Sequence, residues 1–89
     1  TNDLTQYTLA VDRNNAAVKQ YYDPHHEAVF RMIEMTCNNA HKNGIKVCIC
    51  GELAADLSIT KRLLDLQIDE LSVPSKNILL VRENVREMD

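Results

Sequence analysis

The sequence predicts an α/β fold with parallel strands, and three observations indicate it. Helix, strand, helix, strand and helix patterns follow one another in that order. The connections between them are short, and a helix between two strands is the usual right-handed crossover between parallel neighbours. The composition is 45% hydrophobic and 26% charged, which is typical of a soluble globular protein. With 89 residues the chain can bury only one small core, so we expect one domain at most.

The clearest helix is predicted over residues 24–43. Asp23 can cap its free N–H groups, and Pro24 suits the first helical position because no donor is needed there. Gly44 supplies the left-handed residue at which such helices end. The side chains that recur at three- and four-residue steps, and so form one buried stripe, are Val29, Met32, Ile33, Thr36, Cys37 and Ala40.

Two short strands are predicted after this helix. Residues 46–50 are mostly apolar and precede Gly51, which is typical of a strand buried on both faces. Residues 70–73 form the second strand, which Pro74 stops because proline cannot donate to a sheet ladder. A sheet of so few strands exposes its edges, so we expect the chain to be a section of a larger barrel or sheet with further strands upstream.

Two further helices are predicted, one on each side of the second strand. Asp56 or Ser58 can cap the first of them, and Ser75 can cap the last. Their apolar faces are Ile59, Leu63 and Leu66 in the first helix and Ile78, Val81, Val85 and Met88 in the last.

Charge and cysteine content exclude several function classes. Ten Lys and Arg against 13 Asp and Glu give a net charge of −3, which argues against nucleic acid as a partner. The four-residue apolar run 78–81 is far shorter than the roughly 20 residues that cross a bilayer. Three cysteines cannot all pair, so we expect no disulfide framework and a cytoplasmic location. The chain does not start with Met, and we expect it to be a piece of a longer protein.

Candidate functional residues fall where the predicted strands end, because parallel sheets and barrels bind ligands there. The three polar sets are Asn2 with Asp3, residues 50–52 and residues 72–75. An amide beside a hard carboxylate oxygen suits a phosphate and a divalent cation such as Mg²⁺. The alternative is that Asn2 and Asp3 cap a helix beginning near Leu4.

Cys50 and Arg13 are the other candidates, and each has an alternative role. An ordinary thiol is mostly protonated at neutral pH, so Cys50 could donate a proton; alternatively it is a small buried apolar residue, as we expect for Cys48. The planar fork of Arg13 could hold a phosphate through two hydrogen bonds, or it is solvated in its loop. His25 and His26 lack a third ligand at metal-site spacing, and we expect them at the surface.

Residues 1–13 resemble the signature segment of the phosphoenolpyruvate-utilising enzymes, in the form found in enzyme I of the bacterial sugar phosphotransferase system. Three later segments are similar to further landmarks of that family at matching separations: Tyr22-Asp23-Pro24, residues 50–54 with Asp56, and residues 69–75. The resemblance covers nearly the whole chain. It implies the C-terminal portion of a phosphoenolpyruvate-binding (β/α)₈ TIM barrel, from the end of the sixth strand through the eighth helix, without the upstream barrel units and the phosphohistidine domain.

The resemblance also implies an activity. Enzymes of this family move the phosphoryl group of phosphoenolpyruvate to one of their own histidines and then to a small histidine-containing phosphocarrier protein, for sugar uptake. We therefore expect phosphoenolpyruvate and pyruvate as ligands, Mg²⁺ as cofactor and a homodimer in the full-length parent. The acceptor histidine lies in a separate domain, and none of His25, His26 and His41 matches its motif. The 89 residues alone are expected to be inactive.

Four site residues follow from the resemblance. Asn2 would bind phosphoenolpyruvate through its side chain and backbone, and Asp3 would bind Mg²⁺ beside the substrate. Arg13 would hold the phosphate, and Cys50 would be the general acid that protonates the enol carbon. These roles suit the chemistry, because phosphoryl transfer needs positive charge on the phosphate and the enolate left behind needs a proton.

The chain departs from the family's usual residues at five positions. Glycine is usual where this chain has Asn14, Cys48, Ala55 and Gln67, and proline where it has Glu27. Asn14 can adopt a left-handed conformation, so its loop is little affected. Cys48 and Ala55 add side chains beside the mouth of the site, which could reshape it.

Two other interpretations stay open. The chain could belong to a pyruvate phosphate dikinase or a phosphoenolpyruvate synthase, which share the Asn-Asp and Cys-Gly-Glu residues. It could also be a non-catalytic remnant that serves as an assembly or sensor module. The gene upstream distinguishes them, because a phosphohistidine domain and six preceding βα units would support the enzyme.

Overall fold

The computed structural model describes residues 1–88, which form four α-helices and two short strands. The elements in chain order are α1 Asn2–Leu9, α2 Glu27–Lys42, β1 Cys48–Ile49, α3 Thr60–Asp65, β2 Glu70–Leu71 and α4 Ile78–Arg86. Short 3₁₀ turns cover Lys19–Tyr21, Glu52–Ala55 and Ser75–Asn77. No helix in this described part is both long enough and apolar enough to cross a membrane.

The two strands pair in parallel, which confirms the predicted α/β class and strand direction. Cys48 lies opposite Glu70, and Ile49 lies opposite Leu71. Both strands are shorter than predicted, although the amide of Ser72 still donates to the carbonyl of Ile49 at 2.8 Å beyond the end of β2. The prediction that the first strand is buried on both faces is wrong, because Ile49 is buried and Cys48 is exposed.

Helix α2 begins at Glu27, later than the predicted start at residue 24. The side chain of Asp23 accepts from the amide of His25 at 2.9 Å, which closes a turn before the helix, so the predicted cap at Asp23 is wrong. The imidazole of His26 caps the helix instead, because its Nδ1 accepts from the amide of Ala28 at 3.0 Å. Both histidines are exposed, as predicted.

The core lies between α2, β1 and the segment from 53 to 68. Helix α2 contributes a narrower stripe than predicted, since Met32 and Thr36 are exposed and Ala40 is half-buried. The buried residues of the core are Val29, Phe30, Ile33, Cys37, Ile49, Leu53, Ala54, Ile59, Leu63 and Ile68.

The predicted caps of the later helices do not form. Asp56 Oδ1 accepts from both the amide and the hydroxyl of Ser58, which closes a turn, but α3 begins at Thr60 without a side-chain cap. Ser75 likewise lies in a 3₁₀ turn before α4, and α4 begins without a side-chain cap. Along the apolar face of α4, Val81 is buried while Ile78 is exposed.

Glu27 and Arg62 connect α2 to α3. Their side chains form an ion pair, and the guanidinium of Arg62 also lies 3.8 Å from the centre of the Phe30 ring. Hydrogen bonding to Arg62 lowers the pKa of Glu27. The glutamate at this position, where the family usually has proline, therefore contributes a contact between helices.

Two non-glycine residues in the described part have a positive φ, Ala10 at 55° and Gln67 at 66°. Ala10 is the left-handed residue at which α1 ends. Gln67 follows α3, at a position where the family usually has glycine. Asn14 is not among these residues, so its loop does not use the left-handed conformation that was expected to be available to it.

Candidate functional site

Asn2 and Asp3 lie in the first turn of α1, which begins at Asn2 after Thr1. The alternative in which they cap a helix starting near Leu4 is therefore wrong. The hydroxyl of Tyr22 donates to the carbonyl of Asn2 at 3.3 Å, and Asn2 Oδ1 lies 3.5 Å from the amide nitrogen of Glu52. These contacts position Asn2 between the segment before α2 and the end of β1.

Thr1 joins the start of α1 to the end of β1. Its nitrogen and its hydroxyl both donate to the carbonyl of Cys50, at 2.9 and 3.0 Å. The next residue, Gly51, has a φ of 95° and a ψ of −170°, a conformation that side chains rarely adopt. A Cβ at Gly51 would lie 2.8 Å from the hydroxyl oxygen of Thr1. The close approach of the two segments therefore requires glycine here.

Arg13 reaches the same region from the loop after α1. Its Nη1 lies 3.3 Å from Asp3 Oδ1, and its backbone amide donates to the side chain of Gln6 at 3.2 Å. The side chains of Arg13 and Asp3 are 36% and 78% exposed. Exposed pairs of this kind contribute about 0–1 kcal/mol, so a phosphate could replace Asp3 as the partner of Arg13 at little cost.

All four residues singled out from the sequence line one hollow. It has a volume of about 240 Å³, and its lining residues are Thr1, Asn2, Asp3, Arg13, Cys50 and Gly51. Cys50 is a free, exposed thiol, so the alternative of a buried apolar residue is wrong for it. The same expectation for Cys48 is also wrong, while Cys37 is buried.

The donor set in this hollow suits a cation only in part. Asp3 has one carboxylate oxygen outside its contact with Arg13. Within residues 1–88, no cluster of three or more His, Cys, Asp and Glu side chains is arranged to hold a metal ion. Mg²⁺ is commonly held by one or two carboxylates together with substrate phosphates and water, and Asp3 fits the part of one such carboxylate.

A second, larger hollow of about 440 Å³ adjoins the first and shares Asn2 and Gly51 with it. Its other lining residues are Glu52, Ala55, Asp56, Ser72, Pro74 and Asn77. The polar sets at 50–52 and 72–75 were predicted from the strand ends, but Asn77 was missed because it precedes α4 and lies in no strand. Thr1, Gln6 and Tyr22 were also missed as positioning residues, since their contacts join distant segments.

Two histidine–aspartate pairs lie outside the hollow that contains Cys50. His25 Nε2 is 2.7 Å from Asp56, and His41 Nε2 is 2.8 Å from Asp69. The hydrogen bond that the Ser58 hydroxyl donates to Asp56 lowers the pKa of this carboxyl, and His25 lowers it further by a smaller amount. The backbone amide of Val47, 2.7 Å from Asp69, lowers the pKa of that carboxyl together with His41.

Two parallel strands with a polar hollow at the end of β1 define the class, a small α/β unit with a candidate ligand site at its strand ends. The whole chain, residues 1–89, matches the family described as PEP-utilising enzyme, PEP-binding domain. The chain belongs to this family, and the resemblance stated from its motifs is confirmed.

Individual relatives agree with the family match. The chain is 41% identical over 85 residues to a phosphoenolpyruvate-protein phosphotransferase of Cupriavidus necator, covering 96% of this chain and 14% of the relative. It is 43% identical over 88 residues to the phosphotransferase of Priestia megaterium, covering 99% and 15%. It is also 40% identical over 85 residues to a probable phosphoenolpyruvate synthase of Methanocaldococcus jannaschii, covering 96% and 7%. The chain thus spans a small part of the length of these relatives.

Proposed function

We propose that this chain forms part of the phosphoenolpyruvate-binding site of a phosphoenolpyruvate-protein phosphotransferase. The observation that carries the proposal is the single hollow in which Asn2, Asp3, Arg13 and Cys50 meet. An amide, a carboxylate, a guanidinium and a thiol are the groups that this chemistry needs around a phosphorylated enol. The names of the relatives, most of them phosphotransferases, support the same substrate.

The phosphate would bind between Arg13 and Asn2. Arg13 is held on its backbone by Gln6 and touches Asp3 through one contact, so its guanidinium can turn to the phosphate without unfolding the loop. The Asn2 amide would donate to a second phosphate oxygen. Asp3, released from Arg13, would bind Mg²⁺, which when bound neutralises charge on the phosphate.

Cys50 would carry the proton step. After the phosphoryl group leaves, the enolate of pyruvate takes the thiol proton at its methylene carbon, and the thiolate of Cys50 is left. In the reverse direction the thiolate removes a proton from the methyl group of pyruvate. Two bonds from Thr1 fix the backbone of Cys50, while the exposure of the thiol allows solvent to reprotonate it.

The remaining features of the full-length protein are part of the same proposal. Residues 1–89 would form the end of a (β/α)₈ barrel from its sixth strand, within a cytoplasmic homodimer. The phosphoryl group would pass to a histidine in another domain and then to the histidine-containing phosphocarrier protein for sugar uptake. None of His25, His26 and His41 lines the hollow that contains Asp3, Arg13 and Cys50, which supports an acceptor histidine outside this chain.

Replacing the thiol tests the proposal in the full-length protein. We expect Cys50→Ala to leave phosphoenolpyruvate binding largely intact while turnover and exchange of the pyruvate methyl protons with solvent fall by about 100-fold or more. Calorimetric binding and proton exchange followed by NMR measure the two effects separately. Cys48→Ala is the matched control, because it removes a neighbouring thiol outside the hollow and should change neither. Lost binding with normal turnover of the bound fraction would contradict the assignment.

A phosphoenolpyruvate synthase is the second candidate, and the 40% identity to the synthase of Methanocaldococcus jannaschii favours it. Both enzymes would use the same hollow for phosphoenolpyruvate and pyruvate. For the phosphotransferase, the phosphoryl group would pass to a carrier protein. Pyruvate formation that depends on the phosphocarrier protein supports the phosphotransferase, and pyruvate formation that does not depend on it supports the synthase.

A further inference from the structure

His25 and Asp56 connect the segment before α2 to the loop after β1. His25 Nε2 lies 2.7 Å from Asp56 Oδ2, and the imidazole nitrogen is the donor because an ionised carboxylate only accepts. The side chain of Asp23 accepts from the backbone amide of His25 at 2.9 Å, and this turn fixes the backbone that carries the imidazole. The proposed function gives His25 no part, since it lines neither of the two hollows.

Asp56 ends the turn that follows the candidate site. This 3₁₀ turn, Glu52–Ala55, begins directly after Gly51, and the amide of Asp56 closes it by donating to the carbonyl of Leu53 at 3.2 Å. The Asp56 carboxylate also accepts from the amide and the hydroxyl of Ser58, and the hydroxyl bond is the main cause of its lowered pKa. These bonds keep Asp56 ionised and fix its direction, so it is a firm attachment point for His25.

The other end of the same turn reaches Asn2. The amide nitrogen of Glu52 lies 3.5 Å from Asn2 Oδ1, and the hydroxyl of Tyr22 donates to the carbonyl of Asn2 at 3.3 Å. When Oδ1 faces the turn, the two Nδ2 donors of the same side chain face away from it and are available to a ligand. The segment 22–25 therefore acts on Asn2 twice, directly through Tyr22 and by way of the turn through His25.

We propose that His25 is a positioning residue for phosphoenolpyruvate, because through Asp56 it fixes the turn that directs the Asn2 amide. This inference rests on the proposed function, which assigns that amide to a phosphate oxygen. Without the imidazole, Asp56 keeps its bonds to Ser58 within its own loop and loses its contact with the segment before α2. The Asn2 amide then samples more orientations, and the apparent affinity falls with the fraction that can bind.

Substitution of His25 in the full-length protein tests the proposal. We expect His25→Ala to raise the Kd for phosphoenolpyruvate about 5-fold and to keep kcat within about 2-fold, because one hydrogen bond away from the reacting atoms is lost. His25→Gln should recover most of the affinity, since its amide can still donate to Asp56. Calorimetry measures Kd, and pyruvate formation at saturating substrate measures kcat. Unchanged affinity in His25→Ala, or no recovery in His25→Gln, would overturn the proposal.

His41→Ala is the matched control. His41 Nε2 lies 2.8 Å from Asp69 at the other end of α2, and both histidine–aspartate pairs are partly exposed. The substitution should lower the free energy of unfolding about as much as His25→Ala does, which urea denaturation measures. It should leave the affinity unchanged, because neither His41 nor Asp69 lines the two hollows that contain Asn2. An equal loss of affinity in His41→Ala would contradict the proposal, since general loosening would then explain both results.

A double variant tests the route through Asp56. Asp56→Ala should weaken binding by itself, and adding His25→Ala to it should weaken binding by less than about 2-fold further. A further loss as large as that of His25→Ala alone would show that this route is wrong. The two proposals fail differently. A wild-type protein that binds no phosphoenolpyruvate would overturn the proposed function, whereas wild-type binding that His25→Ala leaves intact would overturn the role of His25 alone.

Discussion

The ion pair of the candidate site and the two histidine–aspartate pairs around it, which we call the frame, differ in the number of hydrogen bonds that each carboxylate accepts. The pairs are Arg13–Asp3 at the site and His25–Asp56 and His41–Asp69 at the two ends of α2. Asp3 has one contact at 3.3 Å, whereas Asp56 also accepts two bonds from Ser58 and Asp69 also accepts from Val47. Carboxylates with several donors fix segments relative to one another, while a pair with a single exposed contact can exchange its partner for a ligand.

Substitutions in the two histidine–aspartate pairs should therefore lower the free energy of unfolding, whereas substitutions in the Arg13–Asp3 pair should weaken ligand binding. The largest expected effect lies where the two regions meet, at Gly51. Gly51→Ala combines a backbone conformation that favours glycine with a contact of 2.8 Å to the Thr1 hydroxyl. We expect the free energy of unfolding to fall by about 3 kcal/mol, measured by urea denaturation.

Gly44→Ala is the matched control for this substitution. Gly44 also has a positive φ, 69°, but a Cβ there meets nothing within 4 Å. It should cost only about 1 kcal/mol, the strain of a left-handed residue. If the free energy of unfolding falls equally in the two variants, the contact between Thr1 and a Cβ at Gly51 adds nothing to the loss of stability.

Arg13→Ala tests the prediction for the candidate site, where binding should change more than stability. Removing a charged hydrogen bond to phosphate should weaken phosphoenolpyruvate binding by about 1.5–3 kcal/mol in the full-length protein. The free energy of unfolding should change by less than about 1 kcal/mol, because the pair with Asp3 is exposed. Calorimetry and urea denaturation of the same variant measure the two quantities, and unchanged binding would remove Arg13 from the site.

Acid should weaken the frame through Asp56 and Asp69. Their pKa values are lowered from the ordinary 3.8 in the folded protein, so the stability they contribute is fully present above that value. It is lost as the pH falls through the lower folded-state values, because the unfolded chain then binds protons more readily. Asp56→Asn and Asp69→Asn should each reduce the slope of unfolding free energy against pH below about pH 4.

Asp65→Asn is the control for the acid experiment. Asp65 pairs on the surface with Lys61, one turn earlier in α3, and both side chains are largely exposed. Its removal should leave the acid slope nearly unchanged. If Asp65→Asn flattens the slope as much as the other two substitutions, the pairs at the ends of α2 are not a special part of the frame.

Local patterns predicted the elements well and their ends poorly. The spacing of apolar side chains located α2, but its start moved because Asp23 closes a turn onto His25 and leaves the cap to His26. A carboxylate before a proline signals a helix start and a turn equally well. Nothing local distinguishes the two outcomes, since the choice depends on where the segment packs.

The site shows the same division between local and distant information. Asn2 and Cys50 could be singled out because they fall at strand ends, and Arg13 because its planar fork suits a phosphate. The family motif then gave these residues their roles. The bonds from Thr1 to the Cys50 carbonyl and from Tyr22 to the Asn2 carbonyl join residues 49 and 20 positions apart. Contacts over such separations follow from the tertiary arrangement, which no window of neighbouring residues contains.

The smallest expected effect tests backbone conformation at two positions where the family usually has glycine. Gln67 has a φ of 66°, so Gln67→Gly relieves left-handed strain and should stabilise the protein by about 0.5–1 kcal/mol. Asn14 does not share this conformation, and Asn14→Gly should destabilise it by up to about 1 kcal/mol through the greater freedom of the unfolded chain. Thermal unfolding of the two variants measures both signs. If both variants shift the unfolding temperature in the same direction, the φ angle at these positions does not determine the effect of glycine.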